Sequence, residues 1–129
     1  MTQQDHGTLS LAAAEVVQIV RQLGLSRSIA EVAALLEADL RRWPDFQKVE
    51  RVALHSAEGV IELMPASDDQ LYAFKYVNGH PGNTRLGLPT VMAFGVLAEV
   101  ATGRPLLLAE LTLLTAIRTA AMSALAARI

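Results

Sequence analysis

Apolar and polar positions change period twice along the chain, dividing its 129 residues into a helical, a strand-like and a second helical stretch. From Leu11 to Leu23 the residues Val16, Val17, Ile19, Val20 and Leu23 recur at helical spacing, and Gly24 follows as a natural C-cap. Ser28-Ile29-Ala30-Glu31 has the spacing of a capping box, which predicts a second helix from Ile29 to about Arg42, stopped by Pro44. The period then shortens. Val49–Ser56, Val60–Met64 and Leu71–Asn78 are short β-rich runs separated by Gly59 and by Pro65–Gln70, so each is expected to be a strand. Val91–Val100 and Pro105–Leu108 predict a hairpin turning at Ala101-Thr102-Gly103-Arg104.

Glu110–Ile129 is an alanine-rich run of high helix propensity. The fold class is therefore α+β: N-terminal helices, a mixed, antiparallel-leaning sheet and a long C-terminal helix. Ala126-Ala127-Arg128-Ile129 carries no glycine cap, proline stop or polar tail, and the expectation is a chain truncated before a further domain.

Composition narrows the functional classes. Hydrophobic residues make up 52% of the chain and charged ones 19%, so apolar surface is expected to be covered by a partner. A net charge of -2 supplies no basic field for nucleic acid. There are no cysteines, which removes disulfide, thiolate and cysteine-metal chemistry and fits a reducing, cytoplasmic setting. The run from Pro105 to Ile117 is too short to span a bilayer. His6, His55 and His80 have no second ligand at metal spacing, and neither a G-x-G-x-x-G nor a Walker-type phosphate loop occurs.

Four charged residues stand out by position. Alternation puts Lys75 on one strand face with Leu71, Ala73 and Val77, either as an edge lysine whose stem covers apolar surface or as a cation held in a pocket. Arg51 alternates with Ala53 and His55, and Glu62 lies between Val60 and Met64. Each is either a solvated strand charge or part of a site in which Arg51 and Lys75 clamp a carboxylate and Glu62 holds an amino group. Arg118 interrupts the helical stripe Leu111, Leu114, Met122, Leu125, Ile129, and a charge there requires an internal carboxylate or a bound anion.

The blocks VIELMP (Val60 to Pro65), YAFKYVNGHPGNT (Tyr72 to Thr84), TVMAFGVLAEV (Thr90 to Val100) and LTLLTAIRTAAMSALAA (Leu111 to Ala127) resemble, in order, the ornithine cyclodeaminase and mu-crystallin family, from about Val16 onward. The FKYVNGHP wording is similar to the cyclodeaminase branch. The resemblance implies NAD-dependent hydride transfer that converts L-ornithine to L-proline and ammonia. It implies substrate contacts from Arg51, Lys75 and Glu62, a supporting catalytic role for Lys75, and contacts from Thr90 and Arg118 to the cofactor.

On this reading residues 1–129 are the N-terminal part of a substrate-binding and dimerisation domain, paired into a homodimer or higher homo-oligomer through its sheet. The family's nucleotide-binding domain and catalytic aspartate have no counterpart in these residues, and the chain alone is expected to be inactive. A non-enzymatic ligand-binding or oligomerisation module, or a related imine reductase or amino-acid dehydrogenase, is the alternative.

Overall fold

The computed structural model describes residues 7–128. A short strand β1 (Leu9–Leu11) precedes helices α1 (Ala13–Leu23) and α2 (Leu25–Arg41), so Leu11 ends a strand where the periodicity predicted a helix start. The reason is long-range: Leu9, Ser10 and Leu11 pair in parallel with Leu107, Leu108 and Ala109, which local period cannot register. Glu15 then caps α1 by accepting the Ala12 N–H at 2.7 Å.

Gly24 ends α1 as expected, its N–H bonding Val20 O, but at φ 86° it turns the chain so tightly that α2 begins at once, ahead of Ile29. The expected capping box is not formed. Ser28 lies inside the helix and its Oγ donates to Gly24 O at 2.9 Å, while Glu31 pairs with Arg27 at 2.7 Å.

A seven-stranded sheet follows, built from β1, β2 (Gln47–Lys48), β3 (Val52–His55), β4 (Val60–Ser67), β5 (Leu71–Gly79), β6 (Ala93–Glu99) and β7 (Pro105–Glu110). Its order is β1-β7-β6-β5-β4-β2, with β3 also on β4, and β1/β7 is its one parallel pair. The predicted strand 49–56 shrinks to β3, leaving Arg51 immediately before it.

β4 runs through Pro65 to Ser67, which were expected to be loop. β3 pairs with residues 60–63 and β2 with 66–67, so Pro65 falls in the gap between them, where its missing N–H leaves no ladder bond unmade on that edge. After β5 a short 3-10 turn, Pro81–Leu86, carries the chain round to β6. The final helix α3 is Thr112–Ala126, shorter than predicted at its start because Glu110 belongs to β7. Its expected last residue, Ile129, lies outside the described residues, as does His6.

Pleat alternation gives the sheet two unlike faces. Leu107 and Ala109 line a cavity with residues of α1, α2 and α3, which identifies the helix side; Gly95, Lys75 and Met64 follow Ala109 across the strands on that side. The buried core there is small-residue rich: Ala33, Ala93, Ala109, Ala121, Val77 and Ile117. The opposite face carries Val52, Leu63, Phe94 and Leu108, all exposed, with Tyr76 stacked on Phe94 at 4.9 Å. Helices cover one face, and among the described residues nothing covers the other.

Gly95 is where helix-side packing is tightest. A Cβ there would meet Leu111 Cδ1 at 2.6 Å and the Phe74 carbonyl oxygen at 2.8 Å. The leucine can move but the carbonyl belongs to the neighbouring strand. Gly95→Ala should therefore destabilise the chain by about 1–3 kcal/mol in urea unfolding, the usual cost of overpacking; an unchanged midpoint would show that β6 shifts freely.

Candidate active site

The helix-facing side of the central strand β5 gathers most of the charged residues singled out from the sequence. Lys75 lies across from Met64 on β4 and Gly95 on β6. Glu62 sits two residues before Met64 on the same face of β4, and Arg51, at the start of β3, donates from Nη1 to Glu62 Oε1 at 3.1 Å. Arg118 reaches this group from α3 and acts electrostatically on Lys75, as do Arg51 and Glu62. Three cations thus converge with one carboxylate.

That carboxylate is committed to Arg51. Among the described residues neither Lys75 nor Arg118 has a hydrogen bond or ion pair. Burial of the Lys75 amine is the largest influence on it and pushes its pKa below the ordinary lysine value; Arg118 and then Arg51 push the same way, while Glu62 opposes them.

Arg118 departs from expectation. The residues of α3 turned into the core are Ile117 and Ala121, and Arg118, one step round the helix, is exposed. Its charge needs no internal carboxylate because water still reaches it. It borders a cavity of about 440 Å³ whose walls include Leu36, Leu40, Trp43, Phe46 and Met122.

Thr90 stands apart from this cluster. Its carbonyl accepts the His80 N–H at 2.9 Å, and the residue lines a groove along another flank of α3, shared with Thr112, Thr115, Thr119 and Ser123. Thr115 Oγ1 is buried there without a hydrogen-bond partner among the described residues. This hydroxyl row did not enter the sequence reading, although its spacing of three, four and four residues places it on one helical face. His80 is a local structural group, its Nδ1 lying 2.9 Å from Asn78 Nδ2.

Residues 13–129 match the model of the ornithine cyclodeaminase/mu-crystallin family. The chain belongs to that family. It is 59% identical over 113 residues to the ornithine cyclodeaminase of Brucella abortus, a match covering 88% of this chain and 32% of that enzyme. The structure of a lysine cyclodeaminase described as recognising L-lysine, L-ornithine and L-2,4-diaminobutyric acid superposes with a TM-score of 0.79 at 30% identity, over 91% of this chain and 36% of the other. An archaeal alanine dehydrogenase dimer with bound NAD gives a TM-score of 0.72 at 33% identity, over 89% and 34%. The chain therefore spans about a third of the length of these relatives. Among the described residues no helix is long and apolar enough to cross a membrane.

The charge crowding has a thermodynamic sign. Because the folded state depresses the Lys75 pKa, unfolded chain binds the extra proton more readily between the folded-state pKa and the ordinary 10.5. The stability contribution is fully present above 10.5 and is lost as pH falls through the folded-state pKa. Lys75→Met should raise stability near pH 7 by up to about 1 kcal/mol, since solvent screens a partly exposed amine. The gain should shrink as pH rises toward about 10. Urea unfolding of both proteins at the two pH values checks this, and a destabilised variant at neutral pH would contradict it.

Proposed function

We propose that this chain forms the substrate-binding and dimerisation part of an ornithine cyclodeaminase-like enzyme. The observation that carries the reading is the cation cluster of Arg51, Lys75 and Arg118, in which Lys75 and Arg118 have no partner among the described residues. A guanidinium meets a carboxylate with two parallel N–H groups, and a lysine adds a point charge, so the α-carboxylate of an amino acid is the complement this cluster lacks. Binding that anion would favour the charged form of Lys75, so the lysine should take up a proton as substrate arrives.

Glu62 supplies the opposite polarity. Its Oε1 holds Arg51, and its Oε2 has no hydrogen bond among the described residues and is available to an amino group of a diamino acid such as ornithine. Arg51 thereby both binds carboxylate and orients the carboxylate side chain beside it. Lys75 and Arg118, which lack partners among the described residues, hold the substrate's Cα in place and set the field across it.

NAD is the cofactor this reading requires, and when bound it would supply a reversible acceptor for the hydride of the substrate's Cα–H bond. The chain's own part would be one wall of its site, with Thr90 and Arg118 as contacts. The hydroxyl groove beside α3 suits an oxygen-rich ligand, since Thr115 Oγ1 has no hydrogen-bond partner among the described residues. A related imine reductase or amino-acid dehydrogenase would use the same clamp. The identity to ornithine cyclodeaminases, 59% against 33% for an alanine dehydrogenase, favours the cyclodeaminase reading. A non-enzymatic module would have no need for an unpaired lysine and arginine on one site.

A direct test joins residues 1–129 to the remaining length of the Brucella abortus enzyme. The chimera should release ammonia from L-ornithine, and Arg51→Ala and Lys75→Ala should each lower kcat/KM by about 2–4 kcal/mol, the cost of losing a charge-assisted contact in a desolvated pocket. Losses below about tenfold for both variants would return these residues to solvated strand charges.

The uncovered sheet face fits a second copy of the chain. Leu63, Phe94 and Leu108 are each at least 40% exposed on adjoining strands, and Tyr76 is stacked on Phe94 among them. An obligate interface of this kind would bury upwards of about 2,000 Å². The chain should sediment as a dimer or higher oligomer at micromolar concentration, and Phe94→Glu should shift it to monomer. A monomeric parent would exclude pairing through this face.

A further inference from the structure

We infer that Asn78 is a positioning residue: together with a neutral His80 it clasps the Thr90 segment to β5 and so sets the wall of the hydroxyl groove opposite α3. The inference rests on the proposed cofactor role of that groove and adds what fixes its shape and its response to acid.

Residues 89–91 form the side of the groove that faces Thr112, Thr115, Thr119 and Ser123. They lie in no strand, so their position depends on individual bonds. One end is tied to the start of α3, where Ala93 N–H donates to Thr112 Oγ1 at 3.1 Å and Leu111 N–H donates to Ala93 O at 2.8 Å. The rest hangs from the end of β5. Asn78 N–H donates to Met92 O at 3.1 Å, and His80 N–H donates to Thr90 O at 2.9 Å. In a regular antiparallel ladder Met92 N–H would return a bond to the Asn78 main-chain carbonyl. It donates instead to Asn78 Oδ1, at 2.5 Å, so the side chain takes that carbonyl's place. Asn83 completes the attachment, its Nδ2 donating to Pro89 O at 2.9 Å.

The bond from Met92 fixes the polarity of two side chains. An N–H only donates, so the Asn78 atom facing Met92 is the oxygen and the atom facing His80 is the nitrogen. Nδ2 offers nothing but donors, and it lies 2.9 Å from His80 Nδ1. Nδ1 must therefore accept, which puts the ring proton of neutral His80 on Nε2. Asn78 is only 6% exposed, so water is a poor substitute for either bond. A protonated imidazole carries N–H on both nitrogens and would set donor against donor across this contact. The clasp is complete with the neutral ring and loses a bond when the ring gains a proton.

The surroundings offer that proton no other partner. The titratable groups on neighbouring segments are His55 on β3, Glu58 on the β3–β4 turn, Lys75 and Tyr76 on β5, and Arg85 on the 81–86 turn; the segment from Thr90 to Met92 has none. Among the described residues none of these groups has a hydrogen bond or ion pair with His80. The backbone is confined as well, because a Cβ on Gly59 would meet Gly79 O at 2.1 Å and His80 Cα at 3.0 Å.

NMR on the full 129-residue chain tests the clasp directly. At about pH 8 the His80 ring nitrogens should report the Nε2–H tautomer. Lowering the pH to about 5 should cut the hydrogen-exchange protection of the His80 and Met92 amides about tenfold, the scale of one lost hydrogen bond, while amides at the centre of β5 keep theirs. Asn78→Asp keeps the acceptor for Met92 and replaces the donor by a second acceptor. The same two amides should then be better protected at about pH 5 than at about pH 8, a reversal that a merely space-filling asparagine would not produce. An Nδ1–H tautomer in the parent chain, or protection there that ignores pH, overturns the clasp, and neither reading needs the variant to fold.

In the chimera with the Brucella abortus enzyme, Asn78→Ala should weaken NAD binding about tenfold by calorimetry and leave the ornithine KM within about twofold, because the groove and the cation cluster are separate. An intact clasp with unchanged NAD binding overturns the positioning role. A parent chimera that binds no NAD refutes the cofactor reading of the groove and the positioning role with it, while the tautomer and the exchange rates still decide the clasp.

Discussion

The ion pair between Arg51 and Glu62 decides the character of the site. Glu62 is the one carboxylate among the charged groups acting on Lys75, and its Oε1 lies 3.1 Å from Arg51 Nη1. Were that carboxylate shared with Lys75, the lysine would have an internal partner. Instead Lys75 and Arg118 have no ion pair among the described residues, and the repulsion between them is one that a bound anion can relieve. Charge left unsatisfied by the fold is charge available to a ligand, and stability given up in this way is common at functional sites.

The sheet reconciles that polar cluster with an otherwise apolar chain by keeping the two on different terms. On the helix side, alanines and Gly95 let α3 and the Leu111 side chain close against β6, so close packing depends on small residues rather than on large buried ones. On the other side, Phe94, Leu63 and Leu108 remain exposed around a stacked aromatic pair. Helices and sheet already make two layers, and the open face is where a further layer could pack.

Much of the architecture was legible in local pattern. Short β-rich runs marked β3 to β5, a turn-centred hairpin marked β6 and β7, helical spacing and propensity marked the helices, and Gly24 marked the break between α1 and α2. What the pattern misplaced were features fixed by distant partners. β1 exists because Leu9 to Leu11 pair with residues nearly a hundred positions away, and Pro65 is tolerated in β4 because two separate strands cover the edge on either side of it. The capping-box motif at Ser28 and Glu31 was present in composition but not in use, since a positive-φ glycine had already started the helix.

The site divides along the same line. Alternation alone put Lys75 and Glu62 each on a definite strand face, because a side chain's direction follows from its own backbone geometry, whereas helical spacing set Arg118 inside an apolar stripe that the docked helix turns partly to water. Which of these charges meet, and which carboxylate serves which cation, is a matter of strand order, register and helix docking. Only the tertiary structure brought Arg51 onto Glu62, set Arg118 within electrostatic reach of Lys75, and placed Thr90 in a separate groove with a Thr115 hydroxyl unsatisfied among the described residues. Local sequence determines which way a residue points, whereas the partner it finds depends on the whole chain closing around it.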